Sequence, residues 1–117
     1  MNRRRFEMIV DEVLAELPDD IVARVDNLHV VVEEWPTRDQ DPDGEGLLGI
    51  YEGVSLAERG SDYYGFAPDR IVIFRGPHLE LGLGEHELRA EIRATVLHEI
   101  GHHLGIDDRR LHELGWD

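Results

Sequence analysis

Residues 96–108 read Val96-Leu97-His98-Glu99-Ile100-Gly101-His102-His103-Leu104-Gly105-Ile106-Asp107-Asp108, and every other segment is interpreted around this stretch. It contains H-E-x-x-H, a glycine three residues on, and an aspartate three beyond that. On a helix, His98 and His102 are four apart, so both imidazoles project from one face and can grip one metal ion. Neutral imidazoles are good zinc ligands, and a catalytic zinc takes a third protein ligand while leaving a position for water. After His102 the helix must end at once for the chain to turn back, and Gly105 suits a left-handed cap. Asp108 comes next with a carboxylate that zinc accepts. Glu99 lies beside the pair, where it can take a proton from the attacking water. The pattern points to a zinc-dependent peptidase with metal ligands His98, His102 and Asp108 and general base Glu99.

Neighbouring side chains leave alternatives open. Asp107 competes with Asp108 for the third position, and His112 and Glu113 are near enough in sequence to reach back. His103 lies about 100° around the helix from His102, so it reads as a supporting or core histidine. His29, His78 and His86 have no partner spacing and read as surface residues. Gly101 sits inside the helix at a cost of about 1 kcal/mol against alanine, which a close approach by a strand or a substrate would explain. Tyr51, Tyr63 and Tyr64 are candidates for hydrogen bonding an oxyanion.

The motif helix begins near Glu85, with Leu88, Ile92, Val96, Leu97, Ile100 and Leu104 on one apolar face. Upstream, Phe6, Ile9, Val10, Val13, Leu14 and Leu17 recur at three- and four-residue steps, predicting a helix over residues 3–17 stopped by Pro18. Asp19 or Asp20 is placed to cap a short second helix through Ile21, Val22 and Val25. Residues 29–35, 47–52 and 70–75 read as strands, the last stopped by Gly76-Pro77. Residues 37–46 form a polar loop and residues 57–68 a connection. Residues 107–110 make a turn into a last helical turn or two around Leu111, and Trp116 reads as a hydrophobic plug. The order of elements predicts an α+β domain, a small mixed sheet backed by an N-terminal helix and the motif helix.

With 117 residues, 41% of them hydrophobic, the chain reads as one domain spanning residues 1–117. The net charge of −14 disfavours nucleic acid and anionic membrane as partners, and it favours solubility or basic substrates. Without cysteine there is no disulfide, no thiolate zinc site and no cysteine to cap a latent enzyme. Glu7, Asp11 and Glu12 interrupt the apolar residues after Arg3-Arg4-Arg5, so no signal peptide is expected. No stretch approaches the ~20 apolar residues of a membrane span, and a cytoplasmic location is expected. Asp39-Gln40-Asp41-Pro42-Asp43-Gly44 resembles the start of a calcium loop, but its twelfth position is Ile50 rather than glutamate, so it reads as a solvated acidic loop.

His98-Glu99-x-x-His102-x-x-Gly105-x-x-Asp108 resembles the metzincin pattern, with aspartate in place of a third histidine, as in snapalysin-like peptidases. The chain is more closely similar to the small bacterial zincin-like metallopeptidases, the minimal zincins. The resemblance is carried by Leu48-Gly49-Ile50-Tyr51-Glu52-Gly53-Val54, Pro68-Asp69-Arg70-Ile71, Phe74-Arg75-Gly76-Pro77, the motif helix and Arg110-Leu111-His112-Glu113-Leu114-Gly115-Trp116. It implies a minimal zincin fold, a Zn²⁺ cofactor held by His98, His102 and Asp108, and Glu99 as base. True metzincins carry a methionine turn downstream of the motif. Here Met1 and Met8 both lie upstream, so the floor of the site must be built differently. The resemblance leaves two functions to separate. One is a peptidase acting on peptide or protein substrates, with a strand edge near residues 70–75 to pair with them. The other is a zinc-binding interaction module without turnover.

Overall fold

A computed structural model of the chain describes residues 1–59 and 69–116. In order it contains α1 (Arg3–Ala15), α2 (Asp19–Val22), β1 (Leu28–Glu33), β2 (Gly49–Glu52), β3 (Asp69–Phe74), α3 (Arg75–Glu80), α4 (Glu85–His103) and α5 (Asp108–Leu114). The architecture is α+β around a three-stranded mixed sheet of order β1-β3-β2, as the alternation of helical and strand patterns predicts. β3 runs parallel to β1, with Val30 opposite Ile71, and antiparallel to β2, with Tyr51 opposite Ile71.

β3 is central for a reason visible in its residues. Ile71-Val72-Ile73-Phe74 is apolar without alternation, the pattern of a strand covered on both faces, and all four are fully buried. Ile71 and Ile73 join Val32 and the apolar stripes of α1 (Phe6, Ile9, Val10, Val13) and α4 (Leu88, Ile92, Val96, Ile100) in one core cluster. α1 starts where the Asn2 side chain accepts the Arg5 N–H at 2.9 Å, and it ends three residues before Pro18, whose ring would block continuation. Neither Asp19 nor Asp20 caps α2 as expected: both fall within its first turn, the N-cap is Pro18, and the helix ends at Val22, short of Val25.

Three further expectations need correction. Gly76-Pro77 does come after the end of β3, but it opens the six-residue helix α3 rather than a loop. Proline is tolerated in a first helical turn because its missing N–H would have no intrahelical acceptor there. His78, read as a surface residue, is completely buried in α3. Its Nδ1 lies 2.7 Å from the Phe74 carbonyl and its Nε2 3.2 Å from Thr95 Oγ1 on α4. Burial lowers its pKa, so the ring is neutral, with Nδ1–H as the donor to Phe74. The strand over residues 70–75 is not an edge at all, since β1 and β2 flank it. Among the described residues no helix is long and apolar enough to cross a membrane.

Candidate metal centre

The centre lies where α4 ends. Gly105 takes φ +82°, its N–H bonds the His102 carbonyl at 3.0 Å, and the Ile106 N–H bonds the Gly101 carbonyl at 2.9 Å. These are the two bonds of a Schellman cap, and they reverse the chain immediately after the second histidine. Asp107 then caps α5, its Oδ1 accepting the Arg110 N–H at 2.9 Å. With Asp107 so engaged, Asp108 turns toward the imidazoles. Its Oδ1 lies 3.0 Å from His102 Nε2 and 3.7 Å from His98 Nε2. Of the two other candidates for the third position, Glu113 is paired with Arg109 and Arg110, and His112 is exposed on α5.

The donor set fits a zinc ion. Tetrahedral zinc with bonds of about 2.0–2.1 Å separates its ligand atoms by about 3.3 Å, and the two distances from Asp108 straddle that value. The His98 and His102 rings meet edge to face with centroids 4.6 Å apart. Ligand atoms of His98, Glu99 and His102 also lie within 4.8 Å of one another. Glu99, however, approaches the other nitrogen of His102: its Oε1 is 3.0 Å from Nδ1. The trio of His98 Nε2, His102 Nε2 and Asp108 Oδ1 is therefore the better ligand set, with Glu99 fixing the orientation of the His102 ring.

Two carboxylates facing the two nitrogens of one imidazole have an electrostatic consequence. The hydrogen bond to Glu99, reinforced by Asp108, pushes the His102 pKa up to about 9 against the opposing effect of burial. Without metal the ring carries both N–H groups at neutral pH. Asp108 is held below the ordinary carboxylate range by its hydrogen bond to His102.

Gly101 explains how α5, and with it Asp108, is seated. A β-carbon at this position would run into the Leu111 side chain, which is fully buried. The close approach anticipated for Gly101 is made by α5. Gly101→Ala is expected to displace α5 at a cost of about 1–3 kcal/mol, despite the better helix propensity of alanine. Zinc affinity should fall along with thermal stability. A variant as stable as wild type with unaltered zinc affinity would show that Leu111 rearranges freely.

A cleft of ≈ 360 Å³ opens on the His98 and Glu99 side of α4, walled by residues 45–49 and by Glu91, Ala94 and Thr95. Its strand wall is β2, one of the two outer strands of the sheet, and among the described residues no strand pairs with its outer side. The Phe74 N–H bonds the Leu48 carbonyl at 2.9 Å, so Leu48 and Ile50 face β3 and, by antiparallel alternation, the main-chain groups of Leu47, Gly49 and Tyr51 point outward, the Leu47 N–H to the Asp41 carboxylate at 3.3 Å. Gly49 brings this edge against α4, since a β-carbon there would lie 2.7 Å from Thr95 Cγ2. A second hollow, of ≈ 400 Å³, lies on the His102 side and includes Tyr51, Ser55 and Glu58.

Behind the centre sits a buried polar network that the sequence reading missed. Asp69, at the start of β3, accepts hydrogen bonds from the Tyr51 hydroxyl, from Arg59 Nη2 at 2.9 Å and from His103 Nδ1 at 3.1 Å. His103 Nε2 accepts the Asp26 N–H at 3.2 Å, which assigns the proton to Nδ1. His103 is thus the core histidine expected, fully buried and with a pKa lowered by burial. Burial alone would raise the Asp69 pKa, but the bonds from Tyr51, Arg59, the Val54 N–H and His103 hold it below its usual value. The Tyr51 hydroxyl is committed to Asp69, and its pKa is raised by burial and by that bond, so it does not present itself to an oxyanion here. Tyr63 and Tyr64 lie outside the described residues. The available signal for Asp69 was a lone acid opening an all-apolar strand.

A family profile described as zincin-like metallopeptidase matches residues 25–116, leaving out only α1 and α2 among the elements above. A solved structure, a conserved hypothetical protein from Thermo thermophilus, is 28% identical, with a TM-score of 0.56 and an alignment covering 99% of this chain and 100% of that one. No curated protein matches the chain.

Proposed function

The chain belongs to the zincin-like metallopeptidase family, and from that premise we propose that it is a zinc-dependent endopeptidase. His98, His102 and Asp108 would hold the zinc, and Glu99 would act as general base. The observation that carries this reading is the convergence of His98 Nε2, His102 Nε2 and Asp108 Oδ1 beside a cleft lined by Glu99 and a free strand edge. When bound, zinc polarises the scissile carbonyl and acidifies water. An extended substrate pairs with the outward main-chain groups of Gly49 and Tyr51 and with the Leu47 carbonyl, the Leu47 N–H being bonded to Asp41, which aligns its backbone along the cleft. Glu99 takes a proton as water oxygen adds to the carbonyl carbon. It delivers that proton to the amide nitrogen as the C–N bond breaks. Glu99 is suited to this role because only Oε1 is bonded to His102, and Oε2 carries no hydrogen bond among the described residues.

The open character of the site favours turnover over a purely structural metal. Structural zinc is enclosed by four protein ligands, whereas the Asp108 side chain is 81% exposed. The test is cleavage of a peptide mixture by zinc-reconstituted protein, its suppression by a chelator and its recovery with zinc. Zinc bound at one equivalent with no cleavage of any peptide would reject the peptidase reading and favour the interaction module.

The His102 equilibrium adds a prediction. A raised histidine pKa stabilises the metal-free fold fully below the unfolded value near 6.5, and that stabilisation is lost as pH rises through about 9. Zinc requires the deprotonated ring, so its affinity should move the other way, strengthening by up to about tenfold per pH unit between pH 6.5 and 9. Calorimetry in buffers of different ionisation enthalpy should find proton release on zinc binding at about pH 7. An affinity independent of pH across that window would contradict the assignment of His102 Nε2 as a ligand.

A further inference from the structure

The cleft beside His98 has a chemical bias that the peptidase reading does not require. Besides Glu99, its walls contain two further carboxylates, Glu45 from the lead into β2 and Glu91 from α4, and neither arginine nor lysine. Among the described residues neither glutamate forms a salt bridge, so no cation of the chain neutralises them within the cleft. The same cleft is lined by Leu47, Leu48 and Ala94, apolar surface suited to an aliphatic stem. The main chain at Glu45, whose side chain is exposed, is also held in place. The Asp41 carboxylate accepts the N–H groups of Glu45 at 2.9 Å, Gly46 at 3.0 Å and Leu47 at 3.3 Å. The acidic loop that resembled a calcium site thus clamps the cleft wall, and the clamped segment runs straight into the free edge at Leu47 and Gly49.

We propose that this cleft selects substrates carrying an arginine or lysine, whose stem lies on Leu47, Leu48 and Ala94 and whose charge lies between Glu45 and Glu91. The inference rests on the peptidase reading of the same cleft and adds its substrate class. The two glutamates do not by themselves define the site. The free strand edge and the metal motif do that independently, and the glutamates decide what fits beside them. Glu91 precedes His98 by seven residues, two turns on the same helix face, or about 10 Å along the axis. An extended peptide advances about 3.3 Å per residue, so the basic side chain falls about two to three residues from the cleaved bond. A neutral side chain there would leave two carboxylates facing a partly closed cleft without a counter-charge, and an acidic one would add repulsion.

The experiment uses the zinc-loaded full chain and a set of decapeptides that differ at one position in turn, carrying Arg, Lys, Gln, norleucine or Glu. Cleavage is measured with the wild type, and binding of the same peptides by fluorescence anisotropy with zinc-loaded Glu99→Gln. The expected result is a preference of about tenfold for Arg and Lys over Gln, the size of one charge-assisted contact. That ratio should drop severalfold in Glu91→Gln, drop further in the Glu45→Gln/Glu91→Gln pair, and shrink at about 0.5 M salt. Glu91→Arg should shift the preference toward Glu. A ratio near one in the wild type, or a ratio unchanged in the double variant, overturns the proposal. If no peptide is cleaved but basic peptides still bind in a manner dependent on Glu45 and Glu91, the peptidase reading fails and the cation-selective cleft stands.

Discussion

Glu99→Gln is expected to lower kcat/KM by about 10²–10⁴-fold while zinc remains bound at full stoichiometry. Glutamine has nearly the same shape, and its amide oxygen can keep the hydrogen bond that Glu99 Oε1 makes with His102 Nδ1. The variant therefore loses the proton acceptor but not the architecture. It should also move metal affinity in an informative direction. The bond to Glu99 is the largest cause of the raised His102 pKa, so removing its charge makes the ring easier to deprotonate. Zinc should then compete with fewer protons, and at neutral pH the variant should take up metal as tightly as wild type or more so. Rates with a cleaved peptide and metal content by elemental analysis together check both parts. Equal cleavage by wild type and variant would exclude Glu99 as the base.

Asp69→Asn carries the largest expected effect on stability, about 3–5 kcal/mol, the usual consequence of breaking a buried ion pair from one side. Asp69 is 3% exposed and receives donors from Tyr51, Arg59 and His103. An asparagine offers one oxygen to these donors and turns an NH₂ group against the rest. Arg59, whose side chain is only 8% exposed, keeps Asp26 as a partner but loses its buried one. Because Asp69 is held below its ordinary pKa, its contribution is present above pH 3.8 and is lost as pH falls through the lowered native value. Urea titrations between about pH 3 and 7 should therefore show a steeper acid loss in wild type than in the variant. The site should suffer as well, since the network ties β2, β3 and the last turn of α4 together just behind His102. A loss below about 1 kcal/mol would mean that water replaces the carboxylate at little cost.

Local features of the chain announced the local elements. The three- and four-residue spacing of Phe6, Ile9, Val10 and Val13 marked α1, and Pro18 marked its limit. Gly105 marked the end of α4, because a left-handed residue terminates a helix and reverses the chain within one turn. The juxtaposition of the candidate ligands was legible for the same reason: His98, Glu99, His102 and Asp108 span eleven residues, and helix periodicity with one cap brings them together. α3 was not legible, since Gly-Pro signals a stop in a strand and a start in a helix with equal force, and packing decides between the two. His78 had no spacing partner, because its partners, Phe74 and Thr95, come from a strand end and a separate helix.

The sequence alone determined α1, α4, the three strand segments and the candidate metal-ligand motif, all of which depend on contacts within a few residues. Only the tertiary structure decided which strand edge lies beside the candidate centre, which polar groups are buried together, and which carboxylates line the cleft. Those depend on pairings across long stretches of chain. Asp69 meets His103 across thirty-four residues, and the sheet order β1-β3-β2 places β3, rather than β2, in the middle. The free energies that select such pairings belong to surfaces formed only when the elements pack, so no local pattern records them.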